Sequence, residues 1–386
     1  MGNIRVIYDY QAFTLQTHGG ISRCFAELYK HLPQEVTAQI AVRESDNVYI
    51  REMEGVMPTK YKYNNFICRK DFKGKGHLHL WYDKLTKGGY YPNYNRHYSI
   101  ELLRRGEFDI FHPTFYSDYF LPYLKGKPFV LTIHDMIPEL YPQYFPQDDI
   151  QIVMKRKLVP LASAIVAVSE NTKKDVIRIL NVPEEKVHVV YHGCSFSRLK
   201  EVPPLLNKPY LLYVGDRYGY KNFKMFVRYV ASFLKSHMEV SVVCTGRLFN
   251  QEEEDLFSEL GVRDRFIHYW VSSDENLFSL YHYALCFVYT SEYEGFGIPI
   301  LEAYQAECPV LLNQRSCFPE IAGDAAIYFE MNSESSNIVY KLESIYKMKS
   351  EERKSLLVRQ RKRLELYSWS KSSQQLVNIY NSILHL

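Results

Sequence analysis

Short apolar runs alternate along the chain with longer stretches in which apolar residues recur every three or four positions. IRVIYDY leads into ISRCFAELYKHL, and AQIAVR, DIFHPTF, FVLTIHD, AIVAVSE and VHVVYHG follow in turn. An unbroken apolar run bounded by polar residues predicts a strand buried on both faces, and a stripe at helical spacing predicts a helix laid over it. The alternation therefore predicts βα units on a parallel sheet. After KEVPPLLNKP the pattern restarts with YLLYVGD, a helix over 222–237, EVSVVCTG, a helix near 252–260, RFIHYW, a helix through 277–283, CFVYTS and PVLLNQ. Prolines break helices and extend the chain, which places a linker at 202–209. Two open parallel sheets in tandem bind ligands beyond the carboxyl ends of their strands, in the cleft between them.

Composition narrows this picture without changing it. At 386 residues, with 46% hydrophobic and 24% charged positions, the chain fits two globular domains. A net charge of +3 does not point to nucleic acid. No apolar run approaches the roughly 20 residues that span a bilayer, and the first residues enter a strand with no signal pattern, so a cytoplasmic location is expected. Seven cysteines without any Cys-x-x-Cys pair fit reduced thiols better than disulfides or a zinc site. Only segment 60–105 breaks the alternation, with eleven Lys or Arg against three acids and many aromatics. It reads either as a solvated insertion or as a surface for an anionic acceptor or for headgroups on the inner membrane face. His77 and His79 alternate with leucines there, which reads as strand packing rather than metal binding.

The chemistry concentrates in SEYEGFGIPILEA at 291–303. Gly295 and Gly297 free the backbone after a buried strand, and Pro299 suits the first turn of a helix. Glu294 then lies in the loop and Glu302 about one turn into the helix. Between them the exposed N–H groups of a helix start make an anion site. Singly, each glutamate reads as a helix cap or an exposed helical residue; together the arrangement fits a diol, a diphosphate and a second diol. Arg217 and Lys221, in GDRYGYKNF after Gly215, are two cations at a strand end that can clamp a diphosphate, or a pair of surface bases. Gly19 and Gly20 precede a helix and let backbone approach a phosphate. His134 follows a strand directly, placed to donate to a sugar hydroxyl or to serve a structural role. Arg247, after Gly246, completes the set of residues at strand ends.

Glu294-Gly-Phe-Gly-Ile-Pro-Ile-Leu-Glu302 resembles the Glu-x7-Glu motif of retaining glycosyltransferases of family 4, which have the GT-B fold. The resemblance runs through the Gly-Gly-Ile-Ser-Arg loop, Thr-Ile-His-Asp, Val-Ser-Glu at 168–170, the Val-Gly…Lys-Asn turn and SCFPEIAGDAA. It implies an α/β protein of two Rossmann-like domains facing each other across a cleft. The acceptor-binding domain would take 1–200 and the nucleotide-sugar domain 201–365, with a helix in 366–386 crossing back. It also implies transfer of a sugar from a nucleotide-diphosphate donor to a glycan or lipid-linked acceptor, with retention, in surface polysaccharide or lipopolysaccharide synthesis. By motif match, Glu302 holds the ribose, Glu294 the donor sugar or its developing positive charge, and the N–H groups of Phe296, Gly297 and Ile298 the sugar and distal phosphate. Arg217 and Lys221 stabilise the leaving diphosphate, Gly20 approaches it from the other domain, and His134 touches the sugar. The chain contains no Asp-x-Asp, so neither a metal nor another cofactor is expected. Trp270 stands where many relatives have glycine near the base-binding loop. Two alternatives remain open: a nucleotide-sugar epimerase on the same fold, and a noncatalytic nucleotide-sugar-binding subunit.

Overall fold

The computed structural model describes residues 3–51, 92–196, 201–332 and 334–385, with 53, 55, 56, 58, 74, 77, 78, 81 and 199. Most of the basic aromatic segment before residue 92, including His79, lies outside the described residues. Within it, His77 and Leu78 are helical, not extended as their alternation suggested.

Twelve strands are found among the described residues. β1 (Ile4–Tyr8), β2 (Val36–Ile40), β3 (Ile110–His112), β4 (Val130–Ile133), β5 (Ala164–Ala167) and β6 (Val187–Val189) belong to the first half. β7 (Tyr210–Tyr213), β8 (Ser241–Cys244), β9 (Phe266–His268), β10 (Cys286–Tyr289), β11 (Val310–Asn313) and β12 (Ile327–Phe329) belong to the second. Every pairing between these strands is parallel. The first half orders its strands β2-β1-β3 and β4-β5-β6, joined by a parallel bridge between Phe111 and Phe129. The second half is one sheet ordered β12-β11-β10-β7-β8-β9. Parallel strands covered by helices on both faces have no solvent side, and accordingly YLLY, SVVC, CFVY and VLLN are buried at every position.

Alternate residues of the second sheet feed two cores. Leu212, Tyr289 and Leu312 pack with Ile300 and Tyr281 on one face, while Leu211, Val242 and Val288 pack with Phe226, Val230 and Leu342 on the other. The first half has its own core, which the final helix, Trp369–Leu384, completes with Leu376, Val377 and Tyr380. The Tyr380 hydroxyl lies 3.0 Å from that of Tyr8 and 2.7 Å from His112 Nδ1. Among the described residues, no helix is long and apolar enough to cross a membrane.

The loops after β4 and β5 meet the loop after β10. Ser169 Oγ donates to the Gly295 carbonyl at 2.6 Å, and Tyr293 donates to Asp175 at 2.7 Å. Glu320 of the second half accepts from the first two N–H groups of helix Glu170–Leu180, at 2.7 and 2.9 Å, and Ser169 Oγ accepts from Thr172 N–H. One helix start is thus satisfied partly by its own cap and partly by the other domain.

Candidate active site

β10 ends at Tyr289, and the chain turns through 290–297 into helix Ile298–Gln305, with Pro299 in its first turn. Gly297 turns the corner at φ +88°, where a Cβ would press on Ile300 and Phe318, so only glycine fits without strain. The loop is pinned from the segment after β11. Ser316, itself left-handed at φ 54°, accepts from Glu294 N–H at 3.2 Å and donates to the Glu294 carbonyl at 2.8 Å. Cys317 Sγ sits 3.2 Å from the Phe296 carbonyl.

So held, the Glu294 carboxylate pairs with Lys221 Nζ at 2.5 Å, both side chains being largely buried. Lys221 is placed by its own carbonyl, which accepts from Thr290 Oγ1 at 2.7 Å and from the Tyr213 hydroxyl at 3.1 Å. Burial disfavours its ammonium, but the charges of Glu294, Tyr220 and Asp135 outweigh burial and raise its pKa, so Lys221 is a firm cation. Beside this pair, the N–H groups of Phe296, Gly297 and Ile298 have no protein partner among the described residues. Gly20 opens helix Gly20–Lys30 of the other domain, and a Cβ on it would lie 3.6 Å from Ile298. Two helix starts, each carrying partial positive charge, therefore come close together at the cleft.

Three further groups close the site. His134 stacks near His192 and Phe25, and its buried Nε2 has no hydrogen-bond partner. Burial, with Lys155 nearby, pushes its pKa down to about 3, so the ring is neutral and offers a hydrogen bond rather than a charge. Gly295 lies against the His134 backbone so closely that no Cβ fits between them. Glu302 is buried; it accepts from the Tyr281 hydroxyl at 3.2 Å and from Arg23 at 3.4 Å, and Arg23 also reaches Asp274 at 3.3 Å.

Arg217 requires correction. It does not face the cleft as a diphosphate clamp, because its guanidinium is buried in a cage. It pairs with Glu253 at 3.0 Å and donates to the carbonyls of Thr245 at 2.9 Å, Arg247 at 2.6 Å and Leu248 at 3.0 Å. Glu253 forms a capping box with Asn250 at the start of helix Gln251–Glu259, and that fixed carboxylate draws the arginine inward. Arg247 sits at the rim, half-exposed and paired with Asp216 at 3.1 Å. Gly215 and Gly246 allow two loops to touch backbone to backbone, since a Cβ on Gly246 would lie 2.7 Å from the Gly215 carbonyl oxygen. Gly19 packs against the Gln16 side chain, whose Oε1 accepts from Ser22 N–H at 3.0 Å.

The structure thus gathers Gly20, His134, Lys221, Glu294, Gly295, Phe296, Gly297, Ile298 and Glu302, and leaves Arg217 and Arg247 outside. Sequence reasoning missed Ser316, Tyr281 and Arg23. Arg23 alone carried a signal, as a buried-face cation one turn past the Gly-Gly pair. Among the described residues, no group of three or more His, Cys, Asp or Glu is arranged to hold a metal ion.

Two facing Rossmann-like domains, with a cation–carboxylate pair and a bare helix start in the cleft, define a GT-B glycosyltransferase. Residues 18–198 match the model of Glycosyltransferase Family 4, and residues 195–363 match that of Glycosyl transferases group 1. The chain belongs to the family 4 glycosyltransferases. It is 29% identical to the O-antigen chain mannosyltransferase B of Escherichia coli, over 70% of this chain and 74% of that protein. It is 27% identical to the O-antigen chain mannosyltransferase RfbU of Salmonella typhimurium, over 56% of this chain and 60% of that one. Among solved structures, a glycosyltransferase of Rickettsia africae superposes with a TM-score of 0.68 at 16% identity, over 100% of this chain and 99% of that one. Anabaena HepE, solved with UDP-glucose, gives 0.71 at 15% identity, over 98% and 100%.

Proposed function

We propose that this glycosyltransferase moves a hexosyl residue from a nucleoside-diphosphate sugar to a hydroxyl of a glycan or lipid-linked acceptor. The transfer proceeds with retention and without a metal ion, in the synthesis of a surface polysaccharide or lipopolysaccharide. The observation that carries this reading is the Lys221–Glu294 pair beside the unpartnered N–H groups of 296–298. It is a preformed place for a leaving diphosphate next to a carboxylate. The mannosyltransferase names of the O-antigen relatives support mannose as the sugar and a polysaccharide as the product.

In the step itself, the bond from the anomeric carbon to the phosphate oxygen breaks and its electron pair leaves with the nucleoside diphosphate. The acceptor oxygen bonds to the same face of the carbon, and its proton passes to the departing phosphate. Charge develops on the leaving group, where the Lys221 ammonium and the helix start already stand. Glu294 lies beside the sugar as positive charge grows on it. Neutral His134 donates to a sugar hydroxyl, and Glu302 accepts from the ribose. In this reading Glu294 is an electrostatic partner held beside Lys221 and Glu302 serves the ribose, which leaves no second carboxyl group for the double displacement of retaining glycosidases, whose two stand about 5 Å apart.

A thermal-shift screen over nucleoside diphosphates and their sugars identifies the donor through ligand-linked stabilisation. With that donor and its acceptor, Glu294→Gln and Lys221→Ala should each lower transfer by about 10² or more while leaving the fold intact. Full activity in both variants overturns the assignment. Conversion of the donor to an epimer without acceptor would favour the epimerase.

A further inference from the structure

Arg23 comes from the N-terminal domain, yet its guanidinium lies between two carboxylates of the C-terminal domain, Glu302 at 3.4 Å and Asp274 at 3.3 Å. The arginine side chain is 11% exposed and Glu302 is 9% exposed, whereas Asp274 is 71% exposed. The deep end of the bridge therefore weighs most, since an exposed ion pair contributes little. Tyr49 packs its ring 5.7 Å from the guanidinium and walls off that side.

We propose that Arg23 is a positioning residue that keeps the buried Glu302 carboxylate ionised and oriented for the donor ribose, and does so only when the two domains are together. This rests on the reading of Glu302 as the ribose partner. A carboxylate accepts at both oxygens and can take both hydroxyls of a diol; a protonated carboxyl loses one acceptor and gains a donor. Burial alone drives Glu302 toward the protonated form. The groups facing it are Arg23 from helix Gly20–Lys30, Tyr281 and Asp274 from helix Asp274–His282, Tyr49, and Cys194 from the loop after β6. Burial is the largest influence and, with Asp274, leaves its pKa raised, while Arg23 and the Tyr281 hydroxyl oppose that rise. Arg23 is the sole cation in that set, and it arrives from the opposite domain. Separating the domains removes the cation from the carboxylate, so ribose recognition and domain closure are linked through this one side chain.

The experiment measures binding of UDP, GDP and ADP by calorimetry between about pH 5.5 and 8, using the full chain and whichever of the three the parent protein binds. Arg23→Gln should weaken that nucleotide most at the acid end, approaching about tenfold per pH unit as one required carboxylate is protonated. Arg23→Lys should restore much of the parent profile, and Glu302→Gln should abolish the pH dependence in both backgrounds. A flat profile with parent affinity in Arg23→Gln overturns the proposal. Equal weakening at every pH does so too, because it marks Arg23 as a direct partner of the diphosphate. If Glu302→Gln in the parent background leaves affinity unchanged, the ribose reading of Glu302 has failed, independently of Arg23.

Discussion

Gly295 tests whether the observed docking of the two domains is the working geometry. In Gly295→Ala the new Cβ would sit 2.9 Å from the His134 carbonyl carbon, closer still to its oxygen, and 3.3 Å from Asp135 Cβ. Non-bonded carbons rest at about 3.5–4.0 Å, so the loops must separate by about 1 Å. Neither side yields easily. The obstacle at His134 is backbone, and the Gly295 carbonyl is held by Ser169 Oγ at 2.6 Å and Thr172 Oγ1 at 3.2 Å. Each domain has its own core, so the strain falls on the joint and not on the fold. The site spans that joint, with Gly20 and His134 on one side and Lys221, Glu294 and Glu302 on the other. A misplacement of about 1 Å lowers rates by about 10²-fold, or about 2.7 kcal/mol of transition-state stabilisation. Initial rates at saturating donor and acceptor should therefore fall by that factor. The urea midpoint should stay near the parent's, since each half keeps its own core. A variant turning over within about threefold of the parent would refute the reasoning, because the contact would then not constrain the reacting geometry.

Arg217 and Lys221 should behave oppositely. Arg217→Ala leaves the buried Glu253 with only the half-exposed Arg247, at 3.6 Å, as a cation and should lower stability by about 3 kcal/mol in urea unfolding, whereas Lys221→Ala should act mainly on turnover. A stable but inactive Arg217 variant would return that residue to the diphosphate. Burial pushes His112, His134 and His192 each down to about 3. The unfolded chain takes up these protons near pH 6.5, whereas the folded chain resists until about 3. Their contribution is full above pH 6.5 and is lost as pH falls toward 3, at about 1.4 kcal/mol per histidine per pH unit. Urea midpoints at pH 7.5 and 5 should show the loss, and His134→Asn should reduce the slope by one proton; a flat profile would count against neutral burial.

The parallel sheets were legible because a strand buried on both faces must be apolar throughout, as YLLY, CFVY and VLLN are. Helix boundaries fell within a residue or a few of those observed, as in Phe223–Ser236 against 222–237. The Gly-Phe-Gly-Ile-Pro turn was legible for the same local reason, since Gly297 needs a left-handed backbone and proline suits a first turn. Arg217 was misread because a sequence shows that a cation follows a strand, not what folds over it. The carbonyls of 245–248 and the Glu253 carboxylate come from the next βα unit. The role of Arg23 is not legible in the sequence, since its partners lie 251 and 279 residues away. Local chemistry could be read directly, and the pairing of charges between domains could not.

Besides the Arg23 bridge and ring contacts such as His192–Phe296 and Tyr141–Tyr293, the joint around the site has two kinds of contact with different mechanical consequences. The Glu320 carboxylate on the N–H groups of Glu170 and Asn171, Tyr293 on Asp175 and Ser169 on the Gly295 carbonyl are polar bonds that water can replace when the cleft opens. Each contributes about 0.5–1.5 kcal/mol net, so a handful holds the domains together without preventing their separation when substrates exchange. The approach of Gly295 to the His134 carbonyl is a steric stop that no solvent can soften. Weak, exchangeable bonds set how often the cleft closes, and the backbone stop sets where closure ends. Glu294 adjoins the stop directly, so the Lys221–Glu294 pair should return to one position relative to His134 at every closure. That reproducibility is what electrostatic stabilisation of a departing diphosphate requires, because preplaced charge assists only if it stands in position before the bond breaks.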